Sequence, residues 1–273
     1  MLNTQLTGIT AASRDLSTIS NNLANALTTG FKRSTAQFTE VVAQSLDARP
    51  GTEGGVGALT QQVGRSLQQG TLTSTDSALD IAINGDGFFT FREAQTEGDP
   101  SYVYSRSGKL TLNRSGELVD PAGRPLMGLA VTATGSVGTN PAPIDIQRAA
   151  GGDLNNIRGI SIDTKGIVSV QRGDGSIVRA GAVALAHFTN PQGLKSASGA
   201  VMTETERSGT AEFSRPGLNG LGQVQQGSLE ESNVDLTNEM LRMVQAQQAY
   251  NGNARALQTG SEMLRSAIET LTR

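Results

Sequence analysis

From the first residues the chain places Leu2, Leu6, Ile9, Ser13, Leu16, Ser20, Leu23 and Leu27 at alternating steps of four and three. That spacing puts all eight on one stripe of an α-helix. Ala12, Ile19 and Ala26 widen the stripe, and Arg14, Thr18, Asn22 and Asn25 form a polar strip on the same helix. Thr28-Thr29-Gly30 closes the segment, with Gly30 as a left-handed cap. Near the other end, Leu236, Met240, Met243, Gln247, Tyr250, Ala254, Leu257, Ser261, Leu264, Ile268 and Leu271 repeat the spacing without a proline. Ser232 or Asn233 is the expected N-cap, with Asp235 and Glu239 in the early turns where the helix dipole favours negative charge. Both seams are narrow and carry small or polar residues, which weakens an isolated pair. The expectation is an antiparallel pairing of the two helices, completed by further copies.

Between these segments the period changes. Ile81–Ile83, Gly87–Phe91, Tyr102–Tyr104, Lys109–Leu112, Ile160–Ile162, Ile167–Val170, Ser176–Val178 and Val183–Leu185 read as short strands. Asn84-Gly85-Asp86-Gly87, Arg114-Ser115-Gly116, Thr164-Lys165-Gly166 and Arg172-Gly173-Asp174-Gly175 suit tight hairpin turns. The predicted fold class is therefore α+β: discontinuous, coiled-coil-like terminal helices flanking an inserted antiparallel all-β domain. The boundaries read as a helix in 1–35, an extended linker in 36–70, a β-rich domain in 71–227 with a long loop at 131–158, and a helix in 228–273.

Composition narrows the chemistry. The 273 residues contain no Cys, no Trp and one His, so thiolate metal sites and cysteine nucleophiles are excluded, and a deep aromatic-lined pocket is disfavoured. Lys and Arg total 22 against 25 Asp and Glu, with no block of like charge, which argues against nucleic acid as a partner. His187 ends an apolar run with no accompanying nucleophile motif and reads as a structural residue at a strand edge. Gly85-Asp86-Gly87 and Gly173-Asp174-Gly175 read as turns rather than phosphate or calcium loops. Glu204 with Glu206 and Glu230 with Glu231 read as solvated pairs, and Lys32 and Arg33 as isolated charges. The reading is of a chain that is not an enzyme, with no cofactor, no metal, no catalytic residues and no membrane insertion. The opening residues lack the charged and apolar regions of a cleavable signal, so the expectation is a cytoplasmic chain or one that leaves by another route.

Asn21-Asn22-Leu23-Ala24-Asn25 followed by Thr29-Gly30-Phe31-Lys32-Arg33-Ser34 resembles the signature of bacterial flagellar hook and basal-body rod proteins. Ala78–Phe89, Tyr104–Gly108, Glu231–Leu236 and Gln245–Tyr250 resemble further blocks of that family, in the family's order. The resemblance implies an axial subunit of the flagellum, its terminal helices packed as an inner tube around an export channel and its β domain outside. It further implies export through the flagellar type III apparatus, a helical homopolymer, neighbouring rod, hook and junction proteins, and a cap. Ala186–Leu194 and Ser232–Leu236 look most like hook proteins, the universal joint that carries torque from rod to filament, so a short hook-type subunit is expected. A distal-rod subunit is the alternative, and a secreted oligomeric β-type adhesion module a more distant one. The residues expected to pack between subunits are Leu6, Ile9, Leu16, Asn22, Leu23, Asn25, Leu236, Met240, Met243, Tyr250, Leu257, Leu264 and Ile268.

Overall fold

The computed structural model describes residues 2–42, 55–93, 101–131, 137–197 and 200–271. The chain divides into two compact units: one of residues 1–26, 33–66 and 234–273, the other of 27–32 and 67–233.

The first unit holds an N-terminal helix, Leu2–Ala24, a C-terminal helix, Leu236–Leu271, and a two-stranded antiparallel ribbon. The ribbon pairs Ser34–Val42 with Gly55–Arg65, its ladder shifting register at Gln37/Phe38 and again at Val41/Val42. The stretch 36–70, expected as a linker or extended segment, thus carries most of a paired ribbon. Backbone hydrogen bonding holds the ribbon, while Gln37, Phe38 and Thr39 are exposed in succession, so burial does not follow the apolar–polar alternation of Ala36 to Thr39. The C-terminal helix begins one turn later than expected. Its cap is Asp235, whose carboxylate accepts from the N–H groups of Thr237 (2.9 Å) and Asn238 (3.2 Å).

The second unit is β-rich. A six-stranded sheet runs in the order Lys195–Ser196, Val201–Thr203, Tyr102–Ser105, Phe88–Arg92, Leu185–His187, Glu212–Ser214, every pairing antiparallel. Successive residues of a strand point to opposite faces, and here both faces are covered. Phe89, Phe91, Val103, Leu185 and Val201 enter one core together with Val168, Val170 and Val183 of a second sheet. Phe88, Tyr104, Ala186 and Met202 enter another with Phe188 and Leu194. That explains the near-continuous apolar run at 87–91. The second sheet is five-stranded and antiparallel, ordered Val137–Pro143, Met127–Val131, Ile177–Val183, Ile167–Arg172, Ile157–Ile162.

Two local expectations change in this unit. The stretch 131–158 contains a strand and a five-residue helix, Ile146–Ala150, capped by the Asp145 carboxylate and closed by Gly151 in the left-handed region. Residues 132–136 lie outside the described residues. Asn84–Gly87 is not a hairpin: Ile81–Asn84 pairs with Gln223–Gln226, and the chain crosses at Gly85 and Gly87 into the six-stranded sheet. The turns at 164–166 and 172–175 do close hairpins.

Candidate assembly surface

Within the first unit the two helices are antiparallel and in step. Asn22 Nδ2 donates to Glu239 Oε2 at 3.3 Å, and a Cβ placed on Gly8 would stand 2.9 Å from the Asn253 side-chain nitrogen. The two contacts are fourteen residues apart on each helix, two heptads of one seam. Among the described residues, Ala12, Ile19 and Asn22 are buried on the N-terminal helix, and Glu239 and Ala246 on the C-terminal one. The contact face is thus rotated from the expected stripe, toward the Ala12 and Ile19 side.

This rotation sorts the expected packing residues. Leu6, Leu236, Met240, Tyr250, Leu264 and Ile268 are exposed, and Leu6 and Ile268 keep 57% and 61% of their surface. Ile9, Leu16, Leu23, Met243 and Leu257 are half-buried. Asn25 is half-buried and donates to the Asn21 carbonyl at 2.9 Å. Asn22 corrects the expectation of a bond between subunits, because it is fully buried and its amide is used within its own chain. Besides the bond to Glu239, Nδ2 donates to the Ser34 carbonyl at 2.7 Å and Oδ1 accepts from the Ser34 N–H at 2.9 Å. Glu239 also accepts from Arg33 Nε, and Arg242 lies 3.7 Å away.

The face left uncovered is continuous with the seam. Glu239, Ala246, Asn253 and Gly260 follow heptad spacing along the covered side, which continues through Leu264 and Ala267 beside Ile268. From Ser261 to Thr270 every residue is exposed, including Met263 at 69%. Leu241 and Val244 add exposed apolar surface near the helix start. A helix that carried only its own domain's packing would turn such positions inward.

The second unit contains a buried charge cluster that the sequence reading did not foresee. Glu230, expected at the surface, has no exposed area. It accepts from Lys32 Nζ at 2.6 Å, from the Gly70 N–H at 2.9 Å and from Arg106 Nη1 at 3.4 Å. Its own carbonyl accepts from the Gly30 N–H at 2.7 Å, and Lys32 also donates to the Gln68 carbonyl at 2.7 Å. Burial pushes the Lys32 ammonium below its ordinary value, with the Glu230 carboxylate opposing the shift. Arg106 is lowered by the same cause, and its guanidinium stands 5.2 Å from the Phe88 ring centroid. Gly30 has φ 69°, and a Cβ there would meet the Ser107 nitrogen at 2.3 Å, so both conformation and space demand glycine. The one sign of it in the sequence is a cation, Lys32, two residues after the Gly30 turn. These groups are structural pins with no access for a substrate. His187 is exposed at its strand end, opposite Glu212.

Residues 2–32 match the family described as flagella basal body rod protein, 82–170 the flagellar hook protein FlgE/F/G D1 domain, and 225–270 the flagellar basal body rod FlgEFG protein C-terminal. The flagellar basal-body rod protein FlgG of Buchnera aphidicola subsp. Schizaphis graminum is 33% identical over 270 aligned positions, 94% of each chain. The chain belongs to the flagellar hook and basal-body rod protein family. Bacillus subtilis has a relative in this family, also named flagellar basal-body rod protein FlgG, that is 32% identical over 93% of this chain and 92% of its own. The flagellar hook protein FlgE of Brucella suis is 24% identical, over an alignment of 390 positions covering 97% of each chain. That alignment is far longer than the 273 residues present here, so this hook protein carries a long stretch without a counterpart in the family member described above. The chain is an axial flagellar subunit, and because the two rod proteins match it more evenly, the comparisons favour the rod alternative over the expected hook type.

Proposed function

We propose that this chain is a rod subunit of the flagellar axis, of distal type, that adds to copies of itself in a helical polymer and passes torque along it. Rod proteins supply the relatives at 32–33% identity and of matching length. The observation that carries the polymer reading is the C-terminal helix, whose covered seam continues past Gly260 as uncovered Leu264, Ala267 and Ile268. Burying a leucine there against a neighbouring copy contributes about 2–5 kcal/mol per site, repeated in every subunit. The two helices then form the inner layer around an export channel. The chain travels through the flagellar type III apparatus without a cleaved signal and meets neighbouring rod, hook and junction proteins and a cap.

Two experiments test this. In a deletion strain, isolated basal bodies viewed by electron microscopy are expected to lack the distal rod, whereas complete rods without a hook would move the assignment to the hook. In the complemented strain, Leu264→Asp and Ile268→Asp chains are expected to fold, with the β-rich unit as resistant to protease as before, yet to stay out of the rod. Wild-type incorporation of both would overturn the proposed surface.

A further inference from the structure

The chain holds three Asn-Gly steps, Asn84-Gly85, Asn219-Gly220 and Asn251-Gly252. Such a step is chemically labile, because a residue without a side chain lets its amide nitrogen approach the asparagine side-chain carbon and close a five-membered ring. The fold treats the three differently. Asn251 lies in the C-terminal helix, where the Gly252 N–H is committed to the carbonyl four residues back. Asn84 ends a strand opposite Gln223, and the Gly85 N–H donates to Gln69 Oε1 at 3.1 Å. Gly85 is also hemmed in, since a Cβ there would stand 2.9 Å from Gly222 Cα.

Asn219 has neither restraint. It is the one non-glycine residue with positive φ, 52°, among the described residues, and Gly217 to Gly220 are all exposed. Around both Gly217 and Gly220 there is open space. The turn is closed by Leu221 N–H to the Leu218 carbonyl at 2.9 Å and Gly217 N–H to the Gly222 carbonyl at 3.0 Å, bonds that leave the Gly220 nitrogen out. The Asn219 amide makes only a long contact, 3.4 Å, to Ser214 Oγ.

We propose that Asn219 is a site of spontaneous deamidation in the folded chain, and that the fold shields Asn84 and Asn251. The Gly220 nitrogen bonds to Asn219 Cγ and the Cγ–Nδ2 bond breaks. The side-chain nitrogen takes the proton of the Gly220 amide and departs as ammonia. Water then opens the ring at either carbonyl, leaving aspartate or isoaspartate. Water is the sole co-reactant, and no electron changes hands. The product adds a negative charge to the turn, and the isoaspartate form also lengthens the backbone two residues before Leu221, which forms a bridge with Asp86.

The test incubates the purified full chain in mildly alkaline buffer, with and without urea, and follows all three sites by peptide mapping and by methylation with an isoaspartate methyltransferase. In the folded chain, product is expected at Asn219 at least about tenfold faster than at the two sites that need local opening first. In urea the three rates are expected to converge. An Asn219 that reacts in urea but stays intact in the folded chain would overturn the proposal, as would Asn84 or Asn251 reacting as fast as Asn219 in the folded chain.

Discussion

Lys32 and Glu230 stand 198 positions apart in the sequence and meet at 2.6 Å with side chains 2% and 0% exposed. A pair so enclosed is worth little as an ion pair alone, because two charges have left water, but removing one partner strands the other. In Glu230→Gln the ammonium of Lys32 and the guanidinium of Arg106 would lose the carboxylate that bonds them both and keep only the field of Asp86. The expected loss is about 3–5 kcal/mol in urea unfolding followed by tyrosine fluorescence, and a loss below about 1 kcal/mol would sink this account of the cluster.

Asn22→Leu tests the interior role of that residue. The variant leaves the Ser34 N–H and carbonyl without their partner and takes one donor from Glu239, at an expected cost of about 1–3 kcal/mol. Amide exchange should quicken in 2–24 and 236–258 and stay unchanged in the six-stranded sheet. Unaltered exchange in both helices would return Asn22 to the surface role first expected of it.

Tyr104 predicts an alkaline limb. Its hydroxyl donates to Glu204 at 3.2 Å, and burial, then the Glu204 carboxylate, hold the phenol well above its ordinary value of 10.0. The folded state keeps this proton where the unfolded chain has lost it, so the stabilisation is complete below about pH 10 and falls as pH rises beyond it. Tyr104→Phe removes the titration. Its unfolding midpoint should therefore decline less steeply than that of the wild type between about pH 9 and 11, and parallel slopes would show that the phenol titrates normally.

Gln226 closes the outer edge of the five-stranded sheet. Its side chain accepts from the Ile162 N–H at 3.1 Å and donates to the Ile160 carbonyl at 3.1 Å and the Ala78 carbonyl at 2.7 Å, as a further strand would. Gln226→Ala should expose that edge and promote self-association, seen as faster sedimentation at constant far-ultraviolet circular dichroism. A variant that remains as monodisperse as the wild type would show that the edge needs no such cover.

The terminal helices and the antiparallel β middle were legible because their signals are local: the 4-3 spacing, the glycine turns, the apolar runs. Which side of a helix faces inward was not. Ala12 and Ile19 are small or ordinary neighbours of a more conspicuous leucine stripe, and only the partner helix decides between the two. The pairing of 34–42 with 55–65 escaped because its ladder is backbone and the alternation in its sequence covers only a few residues. Glu230 escaped for a different reason: alternation in Ser228–Glu230 places it opposite Leu229, as a solvent-facing carboxylate would be, and its partners come from residues 32, 70 and 106.

The buried contact between Asn22 and Glu239 settles an ambiguity that heptad helices otherwise carry. Two such helices can slide past each other by seven residues and still match apolar stripe to apolar stripe. In this pair, one such slip would set Asn22 against Ala246, an amide with nothing to bond, and the same slip in the other sense would take it beyond Leu236 to Ser232, outside the helix. Sliding Glu239 along the partner by one heptad would bring it to Asp15, carboxylate against carboxylate. The polar contact therefore acts as a ratchet tooth. It sets one spacing for the helix pair, and in the proposed polymer every subunit would present its uncovered face at the same height.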